Sequence, residues 1–151
     1  MDIDLTKLDY PFRSKPLLIG GMAMQYYGLR PAGADIDFVV ARADYTGLAR
    51  RYPQHVKDLW GDLGVCPFNF ELWMSICLFD YTELTPGAVD LGEYLVISLE
   101  KLLLLKALAM TDEKYLRDLE LVVQKLRHDK YAPWWDALPE ERRTAYQAGE
   151  I

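Results

Sequence analysis

Asp35 and Asp37 flank a single isoleucine and open the apolar run Phe38-Val39-Val40, while Gly20-Gly21 closes the apolar run Leu17-Leu18-Ile19. Thirteen residues separate the glycine pair from Asp35. Successive side chains of a β-strand alternate faces, so the two aspartates point the same way, roughly 6.5–7 Å apart. Carboxylates held side by side repel, and without a partner each tends to stay protonated. A divalent cation removes that conflict. Mg²⁺ suits hard oxygen ligands and usually takes one or two carboxylates together with substrate phosphates. The glycine pair supplies the complementary half, since backbone N–H groups at a helix start can cradle those phosphates. Neither half is specific alone, because solvent-facing acids after a turn and glycine pairs within one are both common. Their combination at this spacing carries the reading.

The elements that must position these residues follow from local pattern. Leu17–Ile19 reads as a buried strand stopped by the glycines, and Met22–Leu29 as a short helix. Residues 30–34 form a turn and 35–40 a second strand. The stretch Ala43–Leu59 reads as helical, broken into two pieces by Pro53, and Gly61–Gly64 as a turn. Phe68–Trp73 alternates apolar residues with Asn69 and Glu71, as a half-buried strand does. Residues 74–84 fit either strand or loop, 87–92 a turn, and Tyr94–Ile97 a last short strand. Ser98 is a helix N-cap with Glu100 in the first turn, heading an apolar helix over 99–110. Thr111 and Asp112 open a second helix to about Arg127, with Leu116, Leu119, Val123 and Leu126 on one face. The tail, 128–151, holds Trp134-Trp135 and is expected to be a loop with a short docking helix anchored by its aromatics. Early alternation and late helices predict an α+β fold: a mixed sheet with helices on one side and a C-terminal helical pair, in a single domain over 1–151. Within it, 17–97 forms the core and 98–127 the pair.

Composition narrows the function. The 151 residues carry 51% apolar and 26% charged side chains, which is ordinary for a globular chain. A net charge of −6 counts against non-specific duplex DNA binding, which needs a basic face. Cys66 and Cys77 lie outside any C-x-x-C and read as buried thiols. His55 and His128 have no triad or zinc arrangement around them and read as surface residues. Met22 and Met24 read as core filler, and Glu140–Arg143 as a solvated helical face. The acidic N-terminus is unlike a signal peptide, and no apolar run is long enough to span a membrane. A cytoplasmic location is expected. No Walker A pattern follows Gly20-Gly21, which disfavours a P-loop ATPase.

The order of apolar run, Gly-Gly, about a dozen residues and Asp-x-Asp resembles the nucleotidyltransferase (polymerase-β-like) superfamily. The C-terminal half is similar to its small bacterial members related to abortive-infection toxins. There, Val96-Ile97-Ser98-Leu99-Glu100-Lys101-Leu102 with Lys106, and Lys114-Tyr115-Leu116-Arg117-Asp118-Leu119, match the group's signature. The resemblance spans residues 17–126. It implies catalytic and metal-binding roles for Asp35, Asp37 and a third carboxylate, two Mg²⁺ ions, and nucleotide binding by Gly20, Gly21 and Lys106, with Lys114 adding charge. Glu71 is the preferred third carboxylate and Asp80 its rival. The implied reaction moves a nucleoside monophosphate from an NTP to a hydroxyl of RNA, protein or a small molecule. A toxin–antitoxin or defence setting, with an antitoxin protein as partner, follows by the same resemblance. Three departures touch the basic half: Asp112 occupies the neighbourhood of an expected arginine, Tyr115 stands where an aspartate is usual, and Arg30 is displaced with Gly33 in a threonine position. Those departures support an alternative, a catalytically degenerate binding or regulatory module. A drug-modifying adenylyltransferase is a third reading, for which the chain is short.

Overall fold

The computed structural model describes residues 2–149. In chain order the strands are β1 (Leu17–Leu18), β2 (Ile36–Val39), β3 (Val56–Leu59), β4 (Asp62–Val65), β5 (Phe70–Trp73), β6 (Ser75–Ile76), β7 (Phe79–Asp80), β8 (Val89–Asp90) and β9 (Leu95–Val96). The α-helices are α1 (Gly20–Tyr26), α2 (Arg42–Arg51), α3 (Tyr81–Leu84), α4 (Leu99–Leu108), α5 (Glu113–Leu126), α6 (Ala132–Asp136) and α7 (Glu140–Gln147). Seven strands form one mixed sheet in the order β3-β4-β5-β2-β1-β9-β8, and β6-β7 is a separate hairpin. The fold is α+β. No helix among the described residues is long and apolar enough to cross a membrane.

The sheet places β2 at its centre. β1 runs antiparallel to β2 with Leu18 opposite Phe38, and β5 runs parallel to β2 on the other side. Interior strands are buried on both faces and read as near-continuous apolar runs. Phe38, Val39, Phe70 and Leu72 obey this and are almost completely buried. Truncating such a residue, Phe38 for instance, removes a large apolar side chain and costs about 3–5 kcal/mol. Asp37 and Glu71 are the exceptions, and the register sets them directly opposite each other on one face. An acid in the middle of a buried sheet carries a desolvation cost. Two at one level need a reason beyond folding.

Local chemistry explains the C-terminal helices. The Ser98 hydroxyl accepts from the Lys101 N–H at 3.2 Å, and the Asp112 carboxylate accepts from the Lys114 N–H at 2.9 Å. Each satisfies a first-turn donor that the helix itself leaves open. α4 and α5 pack on each other as a helical pair. A buried carboxylate, Asp44 on α2, ties down the N-terminal segment by accepting from Tyr10 Oη, Arg13 N and Ser14 N at 2.9–3.0 Å.

The structure differs from the sequence-based expectation in several elements. The helix expected over 43–59 ends at Arg51, and its second half is a short 3₁₀ turn followed by β3. Pro53 stops the helix, and Val56–Leu59 then gains a ladder by pairing with β4. The expected turn at Gly61–Gly64 is therefore mostly strand, with only Trp60-Gly61 turning. Residues 74–84 resolve into β6, β7 and α3. On α5 the buried stripe is Asp118, Val122 and Leu126, whereas Leu116 and Val123 are exposed. The helix is rotated so that Asp118 reaches cationic partners inside, as described below. Residues 127–131 form a π-helical turn leading into α6 and α7, so the tail is helical rather than a loop; the expectation for residues 150–151 lies outside the described residues. Within it Trp134 is largely exposed, while Trp135 is half-buried with its ring 5.5 Å from Tyr146.

Candidate active site

The strand end of β1, the start of α1, the middles of β2 and β5, and the inner faces of α4 and α5 enclose a cleft of about 440 Å³. Asp35, Asp37 and Glu71 all line it, as do Gly20, Gly21 and Lys106. Asp35 precedes β2 by one residue and is exposed at the lip. Asp37 and Glu71 lie deeper as cross-strand neighbours. Among the described residues no three His, Cys, Asp or Glu side chains are gathered into a finished metal cluster. What the fold presents is a tight acidic pair with a third acid at the rim.

Asp37 is the anomalous member. Burial, then hydrogen bonding to Glu71 and the negative charges of Glu71 and Asp35, push its carboxyl up to about 8, with Lys106 pulling the other way. Its Oδ1 is buried with no hydrogen-bond partner. An orphaned carboxylate oxygen beside a second acid is a set of hard oxygen donors, which suits Mg²⁺ and disfavours soft metals.

The two glycines are not equivalent. Gly20 has φ +65°, and a Cβ there would overlap Asp37 Oδ2 and stand 3.2 Å from Asp37 Cβ and Cγ. At Gly21 the nearest atom to such a Cβ is Arg30 Nη1 at 3.5 Å, an ordinary contact. The Ile19 N–H donates to the Asp37 carbonyl at 2.9 Å, which locks this turn against β2. Gly20→Ala is therefore expected to lose about 1–2 kcal/mol from the left-handed backbone alone, with more from the displaced Asp37. Gly21→Ala should be neutral, and thermal unfolding of the two variants separates them.

Facing the acids is a cationic wall. Asp118, 2% exposed, accepts from Arg30 Nε at 2.6 Å, from Arg30 Nη2 at 2.8 Å and from Lys106 Nζ at 2.8 Å. Burial pushes the Asp118 carboxyl up, but the hydrogen bonds from Arg30 and Lys106 outweigh it and hold the group at about 2. Lys106, 5% exposed, is drawn below its ordinary value by burial, which outweighs its bond to Asp118. The two shifts bear oppositely on the worth of this contact. Geometry decides: three short, well-aimed bonds keep all members charged. Lys106 Nζ also lies 4.9 Å from the Tyr115 ring centre, and Lys114 Nζ 5.7 Å from it. Arg30, Lys106, Lys114 and Tyr115 line the cleft, and Asp118 stands behind them.

Sequence reasoning placed Lys106 but missed Arg30 and Asp118 as members of this wall. Asp118 lies within the matched Lys114–Leu119 stretch and Arg30 stands displaced, but nothing local pairs two residues 88 positions apart. Asp80 does not line the cleft. It caps α3, accepting from the Glu83 N–H at 3.0 Å while Glu83 Oε2 accepts from the Asp80 N–H. Of the two candidates for the third carboxylate, only Glu71 is in the cleft. Cys66 is half-buried and Cys77 exposed, so neither is the buried thiol expected; both are free. His55 and His128 are exposed, and Met24 is fully buried.

Fold and site together define an α+β protein with an acidic pair at the centre of its sheet, facing a buried cationic wall. No family model, curated protein or solved structure matches the chain.

Proposed function

We propose that this cleft transfers a nucleoside monophosphate from an NTP to a hydroxyl, making the protein a Mg²⁺-dependent nucleotidyltransferase. The observation that carries this reading is Asp37: an acid with an orphaned oxygen, paired with Glu71, pressed against a glycine, and opposed by cations. Asp35, Asp37 and Glu71 are the residues that would hold Mg²⁺. Bound there, the ion supplies charge neutralisation at the phosphates and a lowered pKa for the attacking hydroxyl. The chain's own groups do the rest. Gly20 and Gly21 let the triphosphate approach the backbone. Lys106, Lys114 and Arg30 offset phosphate charge in a partly dry site, where fixed charges act strongly. The acceptor oxygen forms a bond to the α-phosphorus, the bond to pyrophosphate breaks, and the hydroxyl proton passes to the Glu71 carboxylate.

The acceptor class (RNA, protein or small molecule) and a toxin–antitoxin role rest on the family resemblance, and the cytoplasmic setting on the acidic N-terminus and the absence of a membrane-length apolar run. A specific observation favours the second reading, a binding or regulatory module: Asp118 already engages both Arg30 and Lys106, leaving Lys114 as the cation on that wall without a carboxylate partner among the described residues. Incubation with α-labelled NTPs, Mg²⁺ and total RNA or cell lysate separates the two. Label transfer that disappears in Asp35→Ala and Asp37→Ala is expected. Transfer that survives both substitutions defeats the assignment, and Mg²⁺-dependent NTP binding without transfer supports the module.

A further inference from the structure

Along the sheet the cleft has two halves of different chemistry. Gly20 and Gly21 follow β1, and Lys106 and Lys114 come from α4 and α5, so the groups suited to phosphate lie on one side of Asp37 and Glu71. Lys57, Leu59, Trp73, Ile76 and Cys77 line the other side, from β3, β5 and the β6–β7 hairpin. Register fixes this second half. Trp73 stands two residues beyond Glu71 on β5 and shares its face, Gly64 is opposite Trp73, and Lys57 is opposite Gly64. A Cβ at Gly64 would lie 2.6 Å from Trp73 Cε3 and 2.7 Å from Cζ3, so the indole lies across β4 in the space that glycine leaves, with Lys57 next in the row. Trp73 is 6% exposed and forms a fixed floor. Leu59 and Ile76 add apolar walls. Lys57 is the charged member, exposed and in no ion pair among the described residues. The nearby Asp62 does not oppose it in the cleft, because its carboxylate accepts from Ser75 Oγ, Cys77 N and Leu78 N at 2.6–2.9 Å.

We infer that this half seats the acceptor, a small molecule with a hydroxyl at one end, an apolar body, and a single anionic group at the other end bound by Lys57. The inference rests on the nucleotidyl-transfer reading above and names its acceptor. Phosphoryl transfer sets the attacking and leaving oxygens roughly in line. With the triphosphate against the glycines and the cationic wall, pyrophosphate leaves on that side and the attacking oxygen comes from the β3 side. The acceptor oxygen bonds to the α-phosphorus, the bond to pyrophosphate breaks, and the hydroxyl proton goes to Glu71. The Glu71 and Lys57 backbones stand two strand spacings and two residues apart, about 12 Å, and their side chains shorten that gap to the reach of a small molecule. The chemistry of the ends matches the ligand's polarity. A hydroxyl can donate to the Glu71 carboxylate, whereas an anion there would be repelled by the acids and finds its counter-charge at Lys57. Between the ends, Trp73, Leu59 and Ile76 supply the apolar contact that small-molecule sites use for affinity, while the polar groups fix orientation.

The test uses three probes that share a hydroxyphenyl scaffold and differ in charge: para-hydroxyphenylacetate (an anion), tyrosol (neutral) and tyramine (a cation). Each is titrated by calorimetry into wild type, Lys57→Gln and Lys57→Glu, with and without Mg²⁺ and a non-hydrolysable ATP analogue. Lys57 is exposed on an edge strand, so both variants should melt near the wild-type temperature. Wild type should bind the anion more tightly than the cation by roughly fivefold, the worth of one solvent-screened ion pair. Lys57→Gln should level the three probes and Lys57→Glu should reverse their order. An order unchanged by both substitutions, no binding of any probe, or label transfer from ATP to total RNA with none to para-hydroxyphenylacetate overturns the inference. Binding of the ATP analogue is read on the same samples. If it binds while the probe order ignores Lys57, the acceptor assignment alone fails. If no Mg²⁺-dependent binding of the analogue occurs, the nucleotidyl-transfer reading fails and the acceptor role with it, whatever the probes do.

Discussion

Asp118→Ala should be the most damaging single substitution in the cleft, lowering stability by about 3–5 kcal/mol. The residue is 2% exposed and holds both Arg30 and Lys106. Its removal leaves a buried Lys106 and a partly exposed Arg30 near each other without a counter-charge. The pair's own net worth is small, because burying Lys106 offsets part of the gain. Breaking it is expensive because the orphaned charges remain. For a chain of this size the loss is a fall in Tm of roughly 10 °C. The sign of the pH dependence follows from the low folded value. Asp118 titrates at about 2 in the fold against an ordinary 3.8, so its contribution is present above pH 3.8 and lost as pH falls towards 2. Acid unfolding of wild type should show this loss, and Asp118→Ala should lack it. The variant should also bind NTP more weakly, since the cationic wall it braces would no longer be held.

Asp37→Asn should act in the opposite direction on stability and abolish transfer. The Asp37 carboxyl sits at about 8 in the fold against 3.8 unfolded, from burial first and from Glu71 second. A proton bound to the native state and absent from the unfolded chain stabilises the native state. That contribution is complete below pH 3.8, erodes as pH rises, and is gone above about 8. In chelator, wild-type stability should therefore fall by about 1.4 kcal/mol per pH unit within that window, as the acidic pair titrates as a unit. Asp37→Asn carries no proton to lose, so its profile should be flat by comparison, and at pH 8 it should be the more stable protein. Mg²⁺ should reverse the order, raising the wild-type Tm at pH 8 and leaving the variant unmoved, because cation and proton compete for the same oxygens. Urea unfolding across pH, with and without Mg²⁺, measures both effects. A wild-type profile as flat as the variant's would remove the physical basis for a strained acidic pair.

Much of the fold was legible because its signals are local. An apolar run cut off by Gly20-Gly21 reads as a strand, and β1 stands there with the glycines opening α1. Ser98 and Asp112 announce helix starts by what their side chains can accept. Where local signals conflicted, pairing decided. Residues 56–59 have enough helical character to pass as a continuation of α2, yet they became a strand because β4 offered a ladder. α5 shows the same limit, since its apolar residues cover more than one face and periodicity alone chose Leu116 and Val123 over Val122.

The chain's order alone put two aspartates and a glycine pair near enough in sequence to line one cleft, although Asp35 falls just before β2 rather than on it and the glycines open α1. It also placed Glu71 on a strand. Only the tertiary structure decided that Glu71 would stand opposite Asp37 and that Arg30 and Lys106 would share Asp118. Those contacts join positions 12 to 88 residues apart, and the free energy that selects them is burial and charge pairing, which no local pattern encodes.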